Sequence, residues 1–316
     1  MAKTKEISRR IKSVTSTKKI TKAMEMVAAS KMRKAIDAVL KTRTYANLSW
    51  ETILHLAGLS EARNESLHPL LSAREKINKV AVVLISSNRG MCGAYNTAII
   101  NKAKDSIAKH NLPTDFILAG KKGLSVHSQN YNISAEFDKS DILLDAQEIY
   151  PIVKMILEDY QSGKYDKVLV AYTDFVNPAK QVPRIKQLLP VDVSAEDNYL
   201  GVIGDNDQTG VTKKFIAEKT KKHLSTENYS YEYTFEPSPK EVLDSMIPKL
   251  LEVQLYQAFL EANASEHSAR MSAMHQATDA ANDMVSELTL FYNKARQAGI
   301  TAEIAEISAG ANALAE

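Results

Sequence analysis

The glycine-rich stretch SSNRGMCGAYN, residues 86–96, has the residue types of a phosphate-binding loop. It follows an apolar, β-branched run and precedes a helical pattern, an order that can present backbone N–H groups to an anion. A P-loop needs Lys and Ser/Thr after its last glycine, whereas Ala-Tyr follows here, and only Gly90 and Gly93 are available for a dinucleotide fingerprint. We therefore predict a tight strand-to-helix turn with Cys92 packed as a small apolar residue, and anion binding at the helix start as the alternative.

The other reactive residue types are dispersed. His267 and His275 share the C-terminal segment but lie eight residues apart, and no carboxylate completes a metal-ligand set at the usual spacing. Cys92 is the only cysteine, which excludes an internal disulfide, and it lacks a local nucleophile signature. No carboxylate pair stands out for acid–base work. The residues thus predict no catalytic group, no metal and no cofactor.

The charge is unevenly distributed. Residues 1–43 hold 13 lysines and arginines against three acids, whereas the whole chain has a net charge of +2. Such an arm predicts a polyanionic or acidic partner, and a solvated face is the alternative. Single-strand nucleic acid binders usually interleave aromatics, and residues 1–44 contain none. The chain end, 300–316, stays amphipathic and alanine-rich, which favours docking of both ends inside an acidic protein cavity.

Both ends lack the residues that terminate helices. No Pro precedes Pro69, no Gly precedes Gly58, no Pro follows Pro248, and Gly is absent from 211–298. The sequence predicts two helices of roughly 80 to 100 Å. No run approaches 18 consecutive apolar residues, so no segment is expected to span a bilayer.

Within these helices, residues recur at steps of 4 and 3, which indicates helices that wind around a partner helix. In the N-terminal helix the predicted seam is Ile7, Ile11, Val14, Ile20, Met24 and Val27. In the C-terminal helix it is Ala258, Ala262, Ser265, Ala269, Ser272 and Gln276, then Ala280, Met284, Leu288, Phe291, Ala295 and Ala298. Glu266 and Arg270 are expected to form an exposed i, i+4 pair. Two ordinary amphipathic helices of a bundle are the alternative.

The middle of the chain reads as strands that alternate with helices. β-type runs at 79–87, 115–120 and 167–175 enclose helical patterns near 97–110 and 146–162, which implies a parallel or mixed sheet. The predicted fold class is α+β, a long antiparallel coiled coil of the N- and C-terminal helices with an inserted Rossmann-like α/β domain.

Three domains follow from these patterns. They are an N-terminal coiled-coil helix at 1–58, an α/β foot domain at 75–235 and a C-terminal coiled-coil helix at 240–316. The foot includes an excursion at 200–230, which is expected to return through a β run.

Five blocks, at 16–35, 87–96, 235–248, 264–284 and 292–311, closely resemble the γ subunit of F-type ATP synthases. The resemblance implies a left-handed coiled coil inside the ring of α and β subunits, with a foot that joins the ε subunit and the membrane c-ring. It implies a central rotor shaft that couples ion-driven c-ring rotation to conformational changes in the β subunits. The chain would then be non-catalytic, without a cofactor, because ATP is made in the β subunits.

The resemblance also assigns residues. Arg296, Gln297, Thr301 and Glu303 match positions that contact the β catch loops, and Met24 matches a position that faces a β lever region. The basic arm suits acidic β segments that line the ring.

The excursion at 200–230 is longer than in most bacterial members, so foot contacts are not transferred. The paired cysteines of chloroplast members are absent. A chain that begins at Met1 without a transit peptide is expected to be bacterial, peripheral on the cytoplasmic face of the inner membrane and tied to the membrane only through the Fo sector. The alternatives are a nucleic-acid-binding protein with a basic coiled-coil arm, and a nucleotide-dependent enzyme built on the central domain.

Overall fold

The structure, a computed structural model, describes most of the 316-residue chain. The described residues are 2–62, 69–72, 74, 76–110, 112–129, 131–141, 145–191 and 239–315. The excursion predicted at 200–230 and the β run expected after it lie outside the described residues.

Two long helices begin and end the described chain. Helix α1 spans Ala2–Ala62 and helix α4 spans Pro239–Ala315. Pro248 lies inside α4, although a proline lacks the N–H that the helical ladder would use. The chain divides into two compact units, and the boundaries fall within both helices: residues 1–28 with 270–316, and residues 29–269. We call the first the coil unit and the second the α/β unit.

In the coil unit the two helical segments run antiparallel. The Thr278 hydroxyl donates to the Thr21 hydroxyl at 2.9 Å, and His275 Nδ1 lies 3.4 Å from Glu25 Oε1. Across these two contacts the residue numbers decrease along α1 as they increase along α4, so the two helices run in opposite directions. Positions that are buried or half-buried recur at alternating steps of 3 and 4, the periodicity of a left-handed coiled coil. This seam comprises Thr4, Ile7, Ile11, Val14, Lys18, Thr21, Glu25 and Ala28 of α1 and Met274, Thr278, Ala281, Val285, Leu288, Tyr292 and Ala295 of α4.

The predicted seam is correct only in part. Ile7, Ile11 and Val14 are on it, but Ile20 is 58% exposed and Val27 is 56% exposed. In α4 the predicted positions that are exposed are Ser272, Gln276, Ala280, Met284, Phe291 and Ala298. The physical reason is that polar side chains occupy true seam positions and bond to each other there, so apolarity alone gives the wrong register.

The α/β unit contains a five-stranded sheet in the order β3-β2-β1-β4-β5. The first four strands are parallel and β5 is antiparallel to β4. The strands are β1 (Val80–Ile85), β2 (Thr114–Ala119), β3 (Asn132–Phe137), β4 (Lys167–Asn177) and β5 (Lys180–Leu189). Helices α2 (Tyr95–His110) and α3 (Tyr150–Gln161) and the 3-10 segments Lys121–Gln129 and Ala146–Glu148 complete the unit.

The centre of the sheet forms the core. Strand β1 is buried at all six positions, which explains its continuous run of apolar residues. On one face Val82 and Leu84 pack with Ile99 of α2 and Phe116 of β2. The strands predicted at 79–87, 115–120 and 167–175 are present, and the predicted fold class is confirmed.

One stretch of α4 in this unit is buried on every side. All positions from 250 to 268 are buried, including Ala258 and Ala262 at 0% exposure. A helix that is enclosed all round needs partners for its polar side chains.

Candidate partner-binding surface

The loop at 86–96 is a closed structural turn. Ser87 N donates to Asn96 Oδ1 at 3.0 Å, and Asn96 Nδ2 donates to Ser87 Oγ at 2.8 Å and to Cys92 Sγ at 3.2 Å. Cys92 is 2% exposed. The predicted strand-to-helix turn with a packed Cys92 is therefore confirmed.

At the carboxyl end of β1, next to this loop, hydrogen bonds join the chain to the segment that follows β2. Ser86 Oγ donates to Gly120 O at 2.9 Å and accepts from Gly123 N at 2.8 Å. Ligands of doubly wound sheets bind beyond the carboxyl ends of the strands where the strand order reverses, here at β1. Helix α4 packs against this end of the sheet, where Ser265 Oγ donates to Thr173 O at 3.0 Å. The geometry thus gives the nucleotide-binding alternative no support.

A clasp at residues 139–141 fastens the α/β domain to both long helices within the α/β unit. Lys139 Nζ lies 2.6 Å from Glu266 Oε2, with side-chain exposures of 2% and 4%. His267 Nε2 lies 2.9 Å from Asp141 O, and Lys31 Nζ of α1 lies 2.7 Å from Asp141 Oδ2. The hydrogen bond from Lys31 is the main cause that holds the pKa of Asp141 below its usual value. The prediction of an exposed Glu266 was wrong, because a lysine distant in sequence neutralises it in the interior.

Among the residues that the structure describes, no group of three or more His, Cys, Asp or Glu side chains is placed to hold a metal ion. Within the same ranges, no helix combines the length and the apolarity needed to cross a bilayer.

The predicted contact residues lie on the coil unit. Arg296, Gln297, Thr301 and Glu303 are exposed, and the Thr301 hydroxyl donates to Gln297 O at 3.0 Å. Met24 is half-buried beside the seam. The structure brings the first four together within two turns of α4.

Large apolar side chains accompany them on the coil surface. Ile300 is 48% exposed, Ile304 62% and Ile307 68%. Since side chains at i, i+3 and i+4 share a helix face, Arg296 and Glu303 alternate with Ile300 and Ile307 along one face. Further along the coil the exposed apolar residues are Ile20, Met26, Val27, Met284, Leu290 and Phe291. Together with these three isoleucines they form what we call the apolar coil surface.

Several of these exposed residues were not predicted from the sequence to lie on the surface. Ile20, Val27, Met284 and Phe291 were assigned to the seam because they are apolar and nearly in register. The signal that could have identified the true seam is the pair of threonines, Thr21 and Thr278, which form a hydrogen bond across the coil. Their positions show that the helices meet through a face next to the one that the apolar residues predicted.

Several exposed apolar side chains along one surface are typical of an interaction site for another protein or a membrane. A protein family model described as ATP synthase matches residues 3–314 of the chain. The ATP synthase gamma chain of Haemophilus influenzae (strain PittGG) is 39% identical over 319 residues, which cover 99% of this chain and 100% of that protein. The ATP synthase gamma chain of Legionella pneumophila (strain Corby) is 37% identical over 318 residues with the same coverage.

Solved structures share the fold. A chain of the Euglena gracilis mitochondrial ATP synthase OSCP/F1/c-ring structure aligns with a TM-score of 0.61 at 17% identity, covering 99% of this chain and 95% of that one. A chain of the Tetrahymena thermophila mitochondrial ATP synthase central stalk/c-ring structure aligns with a TM-score of 0.55 at 22% identity, covering 82% and 99%. The chain therefore belongs to the family of ATP synthase gamma chains. The resemblance to this family that five sequence blocks indicated is confirmed, and these comparisons lend no support to the nucleic-acid alternative.

Proposed function

We propose that the chain is the central rotor shaft of an F1Fo ATP synthase, which couples ion-driven rotation of the c-ring to conformational changes in the catalytic β subunits. Its partners are the α, β and ε subunits and the c-ring. It transmits torque and is not itself a catalyst. Membership in the gamma chain family and the antiparallel coil support this function.

The observation that carries the proposal is the apolar coil surface. Ile304 and Ile307 are more than half exposed on a helix that continues to Ala315. Burying an isoleucine contributes about 1.5–3 kcal/mol, so a coil that leaves several exposed gains stability when a protein surrounds it. A ring of α and β subunits supplies such a surrounding.

Rotation can act on catalytic sites only through unequal contacts. The two helices present different side chains to the two sides of the coil, so each β subunit of a threefold ring meets a different face. A shaft shifts each site between conformations only through its differential contact energy with them. Two paired helices resist twisting better than one.

We assign the torque contacts to the tip of α4. Arg296, Gln297, Thr301 and Glu303 contact the β catch loops, and Met24 faces a β lever region. Their exposure on one stretch of helix supports the first group, and half-burial beside the seam leaves part of Met24 available to a partner. The basic arm, residues 1–43, lies against acidic β segments, where attraction at a distance allows sliding.

The gamma chain is part of the F1 sector, a peripheral membrane complex. We place this complex on the cytoplasmic face of a bacterial inner membrane, with the membrane reached only through the Fo sector. The 37–39% identity to gamma chains of two bacteria supports this location.

A reconstitution tests the function. Purified α and β subunits are combined with the full chain, with a chain that ends at Gly299, or with no chain, and ATP hydrolysis and rotation of a bead are recorded. We expect rotation with the full chain and loss of torque with the truncated one. Rotation at full torque without residues 300–316 would overturn the tip contacts, and equal activity without any chain would overturn the shaft.

A charge reversal refines the test. Arg296→Glu is expected to lower torque, whereas Glu287→Lys, a reversal at another exposed α4 position, serves as the matched control. Equal effects of the two variants would contradict the assignment of the catch-loop contact.

A further inference from the structure

A groove lies in the α/β unit between α2 and the sheet. Its volume is about 430 Å³. The floor is formed by Val82 of β1, Leu169 of β4 and Ile185 of β5, and the wall by Ala103 and Ile107 of α2. The size and the apolar floor match sites that accept large side chains or small ligands.

The groove exists because α2 covers only part of this sheet face. Over β1 and β2 the cover is complete, and Val82 and Phe116 are 1% and 0% exposed. Over β4 and β5 the same face is less covered, and Leu169 and Ile185 are half-buried. Ile77, at 37% exposure, extends the apolar surface at one end.

The rim of the groove is positively charged. Lys102 and Lys109 of α2 and Lys167 at the start of β4 line it, and Asp105 is the single acid among the lining residues. Lys102 and Lys109 are exposed, so their ammonium groups are available to a partner. An occupant that complements this site carries apolar side chains for the floor and carboxylates for the rim.

We propose that the groove docks a segment of another subunit of the complex, in which at least one large apolar side chain is flanked by two or more Asp or Glu residues. The inference rests on the proposed function, since it takes the partner from the assembled ATP synthase. The floor supplies burial of apolar surface, and the rim supplies the orientation and the salt sensitivity of docking. A protein segment fits better than a free anion, because the apolar floor spans three strands while the charges lie only at the edges.

The test uses the assembled complex with a photo-reactive amino acid at Ser106, a half-buried residue of the groove wall. The control carries the same group at Lys154, whose side chain is 60% exposed on α3 and does not line the groove. After irradiation, the crosslinked peptides are identified by mass spectrometry. We expect position 106 to reach one stretch of another subunit that combines acidic and apolar residues.

The rim is tested by charge reversal. Lys102→Glu together with Lys109→Glu is expected to lower the yield of that crosslink about tenfold, whereas Lys122→Glu, an exposed lysine outside the groove, leaves it unchanged. Crosslinks only to this chain, to lipid or to a stretch without acids, or no crosslink at all, would overturn the proposal. Rotation measured in the same preparation separates the two proposals. A complex that rotates but gives no such crosslink refutes docking in the groove and does not contradict the function as a rotor shaft.

Discussion

The buried ion pair of the clasp allows one prediction to be worked out in detail. In Lys139→Met the side chain keeps a similar length and loses its ammonium group. Glu266, whose side chain is 4% exposed, then loses a counter-ion that lies 2.6 Å away. Breaking a buried pair in this way costs about 3–5 kcal/mol, which is two to four powers of ten in the folding equilibrium.

The double variant reveals the cause of that cost. In Lys139→Met/Glu266→Met neither charge remains in the interior, so stability is expected to return to within about 1 kcal/mol of the unaltered chain or to exceed it. The single variant should also recover at low pH, because protonation removes the buried carboxylate charge that has lost its lysine.

The assay is urea unfolding of the full chain at pH 5 and pH 8, followed by circular dichroism, with hydrogen exchange of the peptide around Glu266. Lys154→Met is the matched control, because Lys154 and Glu158 form an exposed pair at 3.8 Å and its loss should cost less than about 1 kcal/mol. A single variant as stable as this control, or a double variant as unstable as the single one, would refute the reasoning.

Three further predictions concern stability and are read by the same unfolding assay. Met274→Ala should cost about 2–5 kcal/mol because this seam residue is 7% exposed, whereas Met284→Ala, at 50% exposure, should cost under about 0.5 kcal/mol; equal costs would contradict the seam register. Gly120→Ala should cost about 1–3 kcal/mol or more, since φ is +99° and a Cβ would lie 2.4 Å from a backbone oxygen, while Gly90→Ala meets nothing within 4 Å and should be neutral. Asp166→Asn should lower the unfolding free energy at pH 7 but not near pH 2. A hydrogen bond from a backbone N–H, and then one from a guanidinium, hold the pKa of Asp166 below its usual value. The carboxylate therefore stabilises the fold above the unfolded-state pKa of about 4, and this stabilisation is lost as the pH falls through the lowered pKa. A constant difference at all pH values would count against that ion pair.

The long helices could be predicted because their signal is local. The absence of Pro and Gly before Gly58 and over residues 249–298 predicted α1 and α4, and continuous β-branched runs predicted the buried strands. Strands β3 and β5 were not predicted, because a half-exposed edge strand mixes polar and apolar residues and β5 even contains Pro183.

The register of the coil and the burial of Glu266 could not be predicted from local patterns. Thr21 and Thr278 reach each other from positions 257 residues apart, and Lys139 reaches Glu266 across 127 residues. Such pairs depend on which surfaces the fold brings together, so polar residues at seam or core positions look like surface residues in the sequence. The contacts of Arg296 and its neighbours stay predictions for the same reason, since they depend on a second chain.

The apolar coil surface also constrains how the cell handles this subunit. A newly made copy that waits alone in solution presents Leu290 and Ile307, each 68% exposed, to every other unfinished chain nearby. We expect such copies to aggregate or to be degraded. Synthesis matched in amount and time to that of the enclosing subunits would limit this loss of protein.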